Sequence, residues 1–210
     1  MPEVDKEVCS AAVMIYCKVT KCRAKGSVVE KSADADNYRA ELLGGLLVQL
    51  ILKAASQRRT SPYAPVAIDC DNMGVVKHGN TASKALQEKQ AQADVLRVFK
   101  LIMLELPLEV MYRWVASHQD DKRKWADLTL VERINVIVDR LAKRALIAGV
   151  VTQEFINSLF PFEQVRVTLD GRKVTGSPRR AFDRYWGERT ARDFYHSKHL
   201  VNRHEFHLVW

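Results

Sequence analysis

Hydrophobic positions along the chain follow two different periods. Residues 11–20, AAVMIYCKVT, form an apolar, β-branched run that predicts a strand. KCRAKG follows as a turn ending at Gly26, and SVVEKS as a second, shorter strand, so the chain opens on a hairpin. The period then changes. In residues 33–55, ADADNYRAELLGGLLVQLILKAA, the residues Leu42, Leu43, Leu46, Leu47, Leu50 and Ile51 recur at helical spacing. Asp36 or Asn37 supplies the N-cap. Gly44-Gly45 weakens an isolated helix, but it lets this one approach a sheet closely.

PVAIDCD (65–71) is a short apolar run that ends in acids, the pattern of a buried strand emerging at its C-terminal end. NMGVVKHGN begins a short helix. The spacing of Leu86, Ala93, Leu96, Val98, Phe99, Ile102 and Leu106 predicts a long amphipathic helix over 83–106, closed by Pro107. LEVMYRWVAS (108–117) is the next strand, and core packing is the expected role of Trp114. After a SHQDD turn and a charged loop, residues 128–150 return to helical spacing and end near Gly149. The order ββαβααβα over residues 1–150 predicts an α/β domain: a mixed β-sheet flanked by helices. From residue 151 to 210 the character differs. QVRVTLDGRKVTG (164–176) reads as a hairpin turning at Asp170-Gly171, and Ser177-Pro178 starts a helix rich in Arg and aromatic residues. The chain therefore carries a C-terminal β-hairpin plus basic helix extension.

Composition narrows the class. Among 210 residues 47% are hydrophobic, enough for one sizeable domain and an appendage. No apolar run approaches the ~18–20 residues that span a bilayer, and the polar start MPEVDKEVCS has no signal-peptide form. Cys9, Cys17, Cys22 and Cys70 show no zinc-type spacing, which fits reduced thiols in a cytoplasmic or nuclear, non-secreted protein. A net charge of +8 and a pI near 9.4 make a polyanionic partner plausible without requiring one.

The candidate chemistry is acidic. In YRWVASHQDD (112–121), His118 stands beside Asp120 and Asp121, which reads equally as a metal site, a catalytic pair or a solvated loop. Glu41 sits in the first turns of a helix, where an acid favours the dipole. Asp71 ends the PVAIDCD strand, with Asp69 two residues earlier; alternation puts both on one strand face. Asp71 also suits the N-cap of the next helix. Asp139 lies on an otherwise apolar helix face, with Arg140 and Lys143 as simple surface partners. Each acid alone has an ordinary structural reading.

Their order carries more. RAELLGGL, IDCDNMGVV, WVASHQDD and NVIVDRLAKRAL follow one another as in the ribonuclease H family, and the chain resembles that family over about residues 9–148. It looks most similar to the ribonuclease H-like segments of retrotransposon and reverse-transcriptase-derived proteins. The resemblance implies that Glu41, Asp71 and Asp139 bind metal and act in catalysis, with Asp69 and His118 as weaker candidates. It implies two Mg²⁺ ions, with Mn²⁺ as a possible substitute, and hydrolysis of the RNA strand of RNA–DNA hybrids. Carboxylate oxygens suit such hard cations, and two ions about 3.5–4 Å apart activate water and stabilise the leaving oxygen. Nucleic acid would be met by Asn72, Asn135, Arg179, Arg180, Arg184, Trp186, Arg189 and Arg192. The arginines of the last helix have a second reading, as the solvated face of an amphipathic helix.

One departure cuts against activity. The family's first strand carries an Asp, typically within Asp-Gly-Ser, and no such segment occurs here. Asp5, followed by Lys6-Glu7, is a poor match. The expectation is an N-terminally truncated relative whose Met1 is an internal methionine of a longer parent, with a sheet short of its central strand. A catalytically impaired retroelement remnant that only binds nucleic acid is the alternative reading. The loop before the last helix also lacks the His that many family members carry there. His118 then orders its turn rather than acting as a base.

Overall fold

The computed structural model describes residues 8–18, 20–31, 35–57, 65–87, 90–148, 167–169, 172–174 and 178–197. Its first strands, β1 (Val8–Tyr16) and β2 (Arg23–Lys31), pair antiparallel in continuous register from Val8↔Lys31 to Tyr16↔Arg23. The second strand is thus as long as the first, and the connection is 17–22 rather than a turn ending at Gly26. Gly26 lies within the ladder opposite Val13. Pairing to the apolar β1 carries Lys25 and Gly26 into a strand that their own propensities oppose.

Helix α1 (Asn37–Ser56) begins at Asp36, whose side chain accepts a hydrogen bond from the Arg39 backbone amide at 2.6 Å. It buries Leu42, Leu43, Leu46 and Gln49. Strand β3 (Val66–Cys70) follows, then the short helix α2 (Met73–Asn80), helix α3 (Ala93–Glu105) and strand β4 (Val110–Trp114). β3 and β4 pair parallel, from Val66↔Val110 to Cys70↔Trp114. The apolar periodicity over 83–106 overstates α3. Residues 81–87 are turn or irregular, and Gln92 is left-handed at φ 54° immediately before the helix starts. Arg39 donates to the Gln92 side-chain oxygen at 2.8 Å.

Helix α4 (Leu130–Ala148) begins with a reciprocal cap. Glu132 Oε2 accepts from the Thr129 amide and hydroxyl, both at 2.8 Å, and Thr129 Oγ accepts from the Glu132 amide at 3.3 Å. In the extension, β5 (Thr168–Leu169) and β6 (Arg172–Lys173) form a small antiparallel hairpin, followed by helix α5 (Pro178–Ser197). The expected turn residues Asp170-Gly171 and the cap Ser177 lie outside the described residues, as does Gly149.

The chain is therefore mixed α/β, but its strands do not form one ladder. Among the described residues, β1–β2, β3–β4 and β5–β6 are separate two-stranded pieces. The first two share one core. Cys9 and Ala11 of β1, Leu42, Leu43 and Leu46 of α1, Phe99 and Ile102 of α3, Ile68 of β3 and Tyr112 of β4 belong to a single buried cluster. Helix α4 packs on β1 and β2, and Ser10 Oγ donates to the Ala142 carbonyl at 2.9 Å. Glycine permits the closest approaches. A Cβ on Gly45 would sit 2.7 Å from the Phe99 ring, and one on Gly79 would sit 2.2 Å from the ring of Tyr112.

A buried charge cluster joins three elements. Arg39, 1% exposed, donates to both carboxylate oxygens of Glu30 at 2.6 and 2.7 Å and to those of Asp94 at 3.0 and 3.1 Å. It ties β2 and α3 to the first turn of α1. Asn80 closes α2 against β4, accepting from the Tyr112 amide at 2.9 Å and donating to its carbonyl at 2.8 Å. No helix among the described residues is long and apolar enough to cross a membrane.

Candidate metal centre

Three elements bring acids together. Glu41 sits one turn into α1, on the side flanking the buried Ala40, Leu42 and Leu43. Asp71 follows the last residue of β3. It is not the N-cap of α2: Asn72 takes that role, its side-chain oxygen accepting from the amides of Gly74 at 2.9 Å and Val75 at 3.2 Å. The Asp71 carboxylate is thereby left for other contacts. Asn135, on α4, donates to Asp71 Oδ2 at 3.3 Å. Asp139 lies four residues further along α4, on the same helix face as Asn135.

Burial and mutual repulsion shift the titration of these acids. Burial pushes the Glu41 carboxyl from its ordinary 4.5 up to about 7, and the negative charges of Asp71 and then Asp139 add to the rise. Burial likewise raises Asp139, with Asp71 as the next cause, while His118 and Lys143 act against it. A carboxylate that resists ionisation beside other carboxylates is a group short of positive charge. The arginines of the surrounding elements are engaged elsewhere, while His118 and Lys143 offset part of the charge at Asp139. Arg39 is bound to Glu30 and Asp94, Arg113 to Asp69, and Arg140 to Asp120. Among the described residues, Glu41, Asp71 and Asp139 form no ion pair.

A fourth group enters from the sequence between the two aspartates. Cys70 Sγ lies 3.8 Å from Glu41 Oε2. A Glu41 oxygen, an Asp71 oxygen and Cys70 Sγ all fall within 4.8 Å of one another, a spacing that one cation can bridge. Asp139 stands outside that tight group, although its charge reaches both Glu41 and Asp71's neighbourhood. Cys70 was not singled out from the sequence as a site residue. The signal was available: strand alternation puts Cys70 on the opposite face to Asp69, the face turned to α1.

Asp69 is the principal correction. It is exposed and forms a two-point ion pair with Arg113, Nε to Oδ1 and Nη2 to Oδ2, each at 2.9 Å. β3 ends at Cys70 and Asp71 stands at a bend, so the alternation expected to pair the two acids does not extend to Asp71. Trp114 is the second correction. It is 55% exposed rather than packed in the core, and its indole N–H donates to the Asp71 carbonyl at 3.2 Å.

The SHQDD turn borders the centre. His118 is exposed and left-handed at φ 51°, and its carbonyl accepts from the Asp121 amide at 3.4 Å. Asp120 pairs with Arg140 of α4 at 3.1 Å, so the obvious acid pair of this turn is structural in part. In the extension, Arg184 and Arg189 are exposed, and Arg179 lies 4.0 Å from Asp183. Trp186 is 56% exposed and lies under the Arg189 guanidinium, 5.7 Å from its ring centre. The side chains of Arg180 and Arg192 lie outside the described residues. No protein-family model matches the chain, and no curated protein matches it.

Proposed function

We propose that this chain is a ribonuclease H-like domain of retroelement origin, with a divalent-cation-dependent nuclease centre for the RNA strand of RNA–DNA hybrids. The observation that supports this reading is the convergence of Glu41, Asp71 and Asp139 from a helix, a strand end and a second helix, with no ion pair among the described residues to neutralise them. The donor set suits Mg²⁺ or Mn²⁺: carboxylate oxygens from distant positions, half-buried, repelling one another until a cation joins them. Glu41 and Asp71 would hold the metal, with Asp139 at its side. Bound there, a pair of such ions supplies activated water and stabilises the leaving oxygen of a phosphodiester.

The remaining residues position the substrate. Asn135 fixes one Asp71 oxygen by its amide. Trp114, exposed beside Asp71, offers a ring face for stacking a base. The 2′-hydroxyl is the group by which a hybrid's RNA strand differs from DNA. Arg184, Arg189 and Trp186 of α5 suit phosphate contact and stacking.

A second reading has its own observation. Among the described residues, two carboxylates with Cys70 make the tight donor group, and β1 and β3 share a core without sharing a ladder. A centre short of one acid would bind hybrid and not cut it. Incubating the full chain with labelled hybrid in Mg²⁺ and in Mn²⁺, beside Asp71→Asn, separates the two. Cleavage lost in the variant supports the nuclease. Salt-dependent binding without cleavage by the unaltered chain supports the binder, and absence of both sinks the domain assignment.

A further inference from the structure

Cys70 is the donor that a purely hard-cation centre has no use for. Its Sγ is half-buried at the end of β3, 3.8 Å from Glu41 Oε2 and 3.4 Å from the Asn72 amide, which donates to it. Together with one oxygen each from Glu41 and Asp71 it forms the only group of three or more metal-ligating side chains found at this spacing among the described residues. A zinc ion with ligands at about 2.0–2.3 Å holds its donors roughly 3.5 Å apart. Small rotations of three side chains already within 4.8 Å of one another reach that arrangement.

We propose that Cys70 makes this centre a site for a thiophilic divalent cation, Zn²⁺ or Cd²⁺, held by Cys70 Sγ with the carboxylates of Glu41 and Asp71 in competition with Mg²⁺. The inference rests on the reading of these carboxylates as metal ligands and adds to it a regulator of the same site. Sulfur ligation selects soft and borderline ions, whereas Mg²⁺ gains nothing from a thiol. Two carboxylates and a thiolate bring three negative charges to a doubly charged ion. The neighbouring guanidiniums of Arg113 and Arg140 are held by Asp69 and Asp120. On coordination the S–H bond is broken, the metal–sulfur bond forms, and the proton passes to water.

The test uses the full chain carrying Cys17→Ser and Cys22→Ser, which removes the two exposed hairpin thiols that would otherwise compete for a soft ion. Titration with Cd²⁺, followed by thiolate-to-metal charge-transfer absorption, should show saturable binding. The band should vanish in Cys70→Ser and in Cys70→Ala. Loss of a mere supporting contact costs about 10- to 100-fold in metal affinity, so Asp71→Asn should weaken Cd²⁺ binding at least tenfold. Excess Mg²⁺ should shift the titration to higher Cd²⁺. Mn²⁺ binding, followed by electron paramagnetic resonance, is measured in parallel. Mn²⁺ binding that is lost in Asp71→Asn, with no Cd²⁺–thiolate band, overturns the role of Cys70 and leaves the carboxylate centre standing. A band that survives Cys70→Ser overturns it as well, by placing the ion on another thiol. If neither ion binds, the metal reading and this inference fall together.

Discussion

The raised pKa of Glu41 makes a prediction about stability that needs neither substrate nor metal. In the folded chain the carboxyl titrates near 7 rather than 4.5. Between those values the native state keeps its proton while the unfolded state has released it. The native state therefore loses stability as pH rises from 4.5 to about 7, and the deficit is constant above that. At about 1.4 kcal/mol per pKa unit, the shift amounts to about 3.5 kcal/mol at most, reduced by whatever solvent reaches a half-buried side chain. Glu41→Gln keeps the shape and removes the titration. Urea unfolding at pH 5 and pH 8, in chelator, measures both proteins. The variant should gain about 1–3 kcal/mol relative to the unaltered chain at pH 8 and little at pH 5. Asp139, raised for the same reason, remains in both proteins and cancels in the comparison to first order. Mg²⁺ at pH 8 should then stabilise the unaltered chain more than the variant, because it supplies the missing charge. An equal effect of the substitution at both pH values, or a loss at pH 8, refutes the claim that unneutralised charge gathers at Glu41.

Three further outcomes test the surrounding frame. Arg39→Ala leaves the buried Glu30 without its cation and breaks the bond to Asp94, and urea unfolding should show a loss of about 3–5 kcal/mol. Gly79→Ala drives a methyl into the Tyr112 ring and should cost about 1–3 kcal/mol, while the same change at exposed Gly187, which has open space around its Cα, should not. Asp69→Asn breaks only the exposed pair with Arg113, so Mn²⁺ affinity by electron paramagnetic resonance should stay within about twofold, against a loss of tenfold or more in Asp71→Asn.

Periodicity made the order of the main elements legible, because the apolar spacing of Leu42, Leu43 and Leu46, and of Leu96, Phe99 and Ile102, is the same spacing that packs them into one core. It overran at α3, where apolar residues continue upstream through a turn and nothing local marks the start. Gln92 is left-handed there, and its side chain is bound by Arg39, which is 53 residues away in sequence. It underran at β2, whose charged residues belong to a strand only because β1 lies beside them. The acids divide on the same principle. Glu41 and Asp139 sit within regular helices, so their faces follow from the repeat. Asp69 and Asp71 straddle the end of β3, and alternation holds only where the strand does. Stopping at Cys70 sends Asp69 to Arg113 and returns Asp71, after a change of backbone direction, to the side of Glu41 that Cys70 already faces. The residue between two conspicuous aspartates is thus fixed at the centre by a strand end that no composition reveals. On the metal reading proposed above, its sulfur rather than a further carboxylate would decide which cations the site prefers.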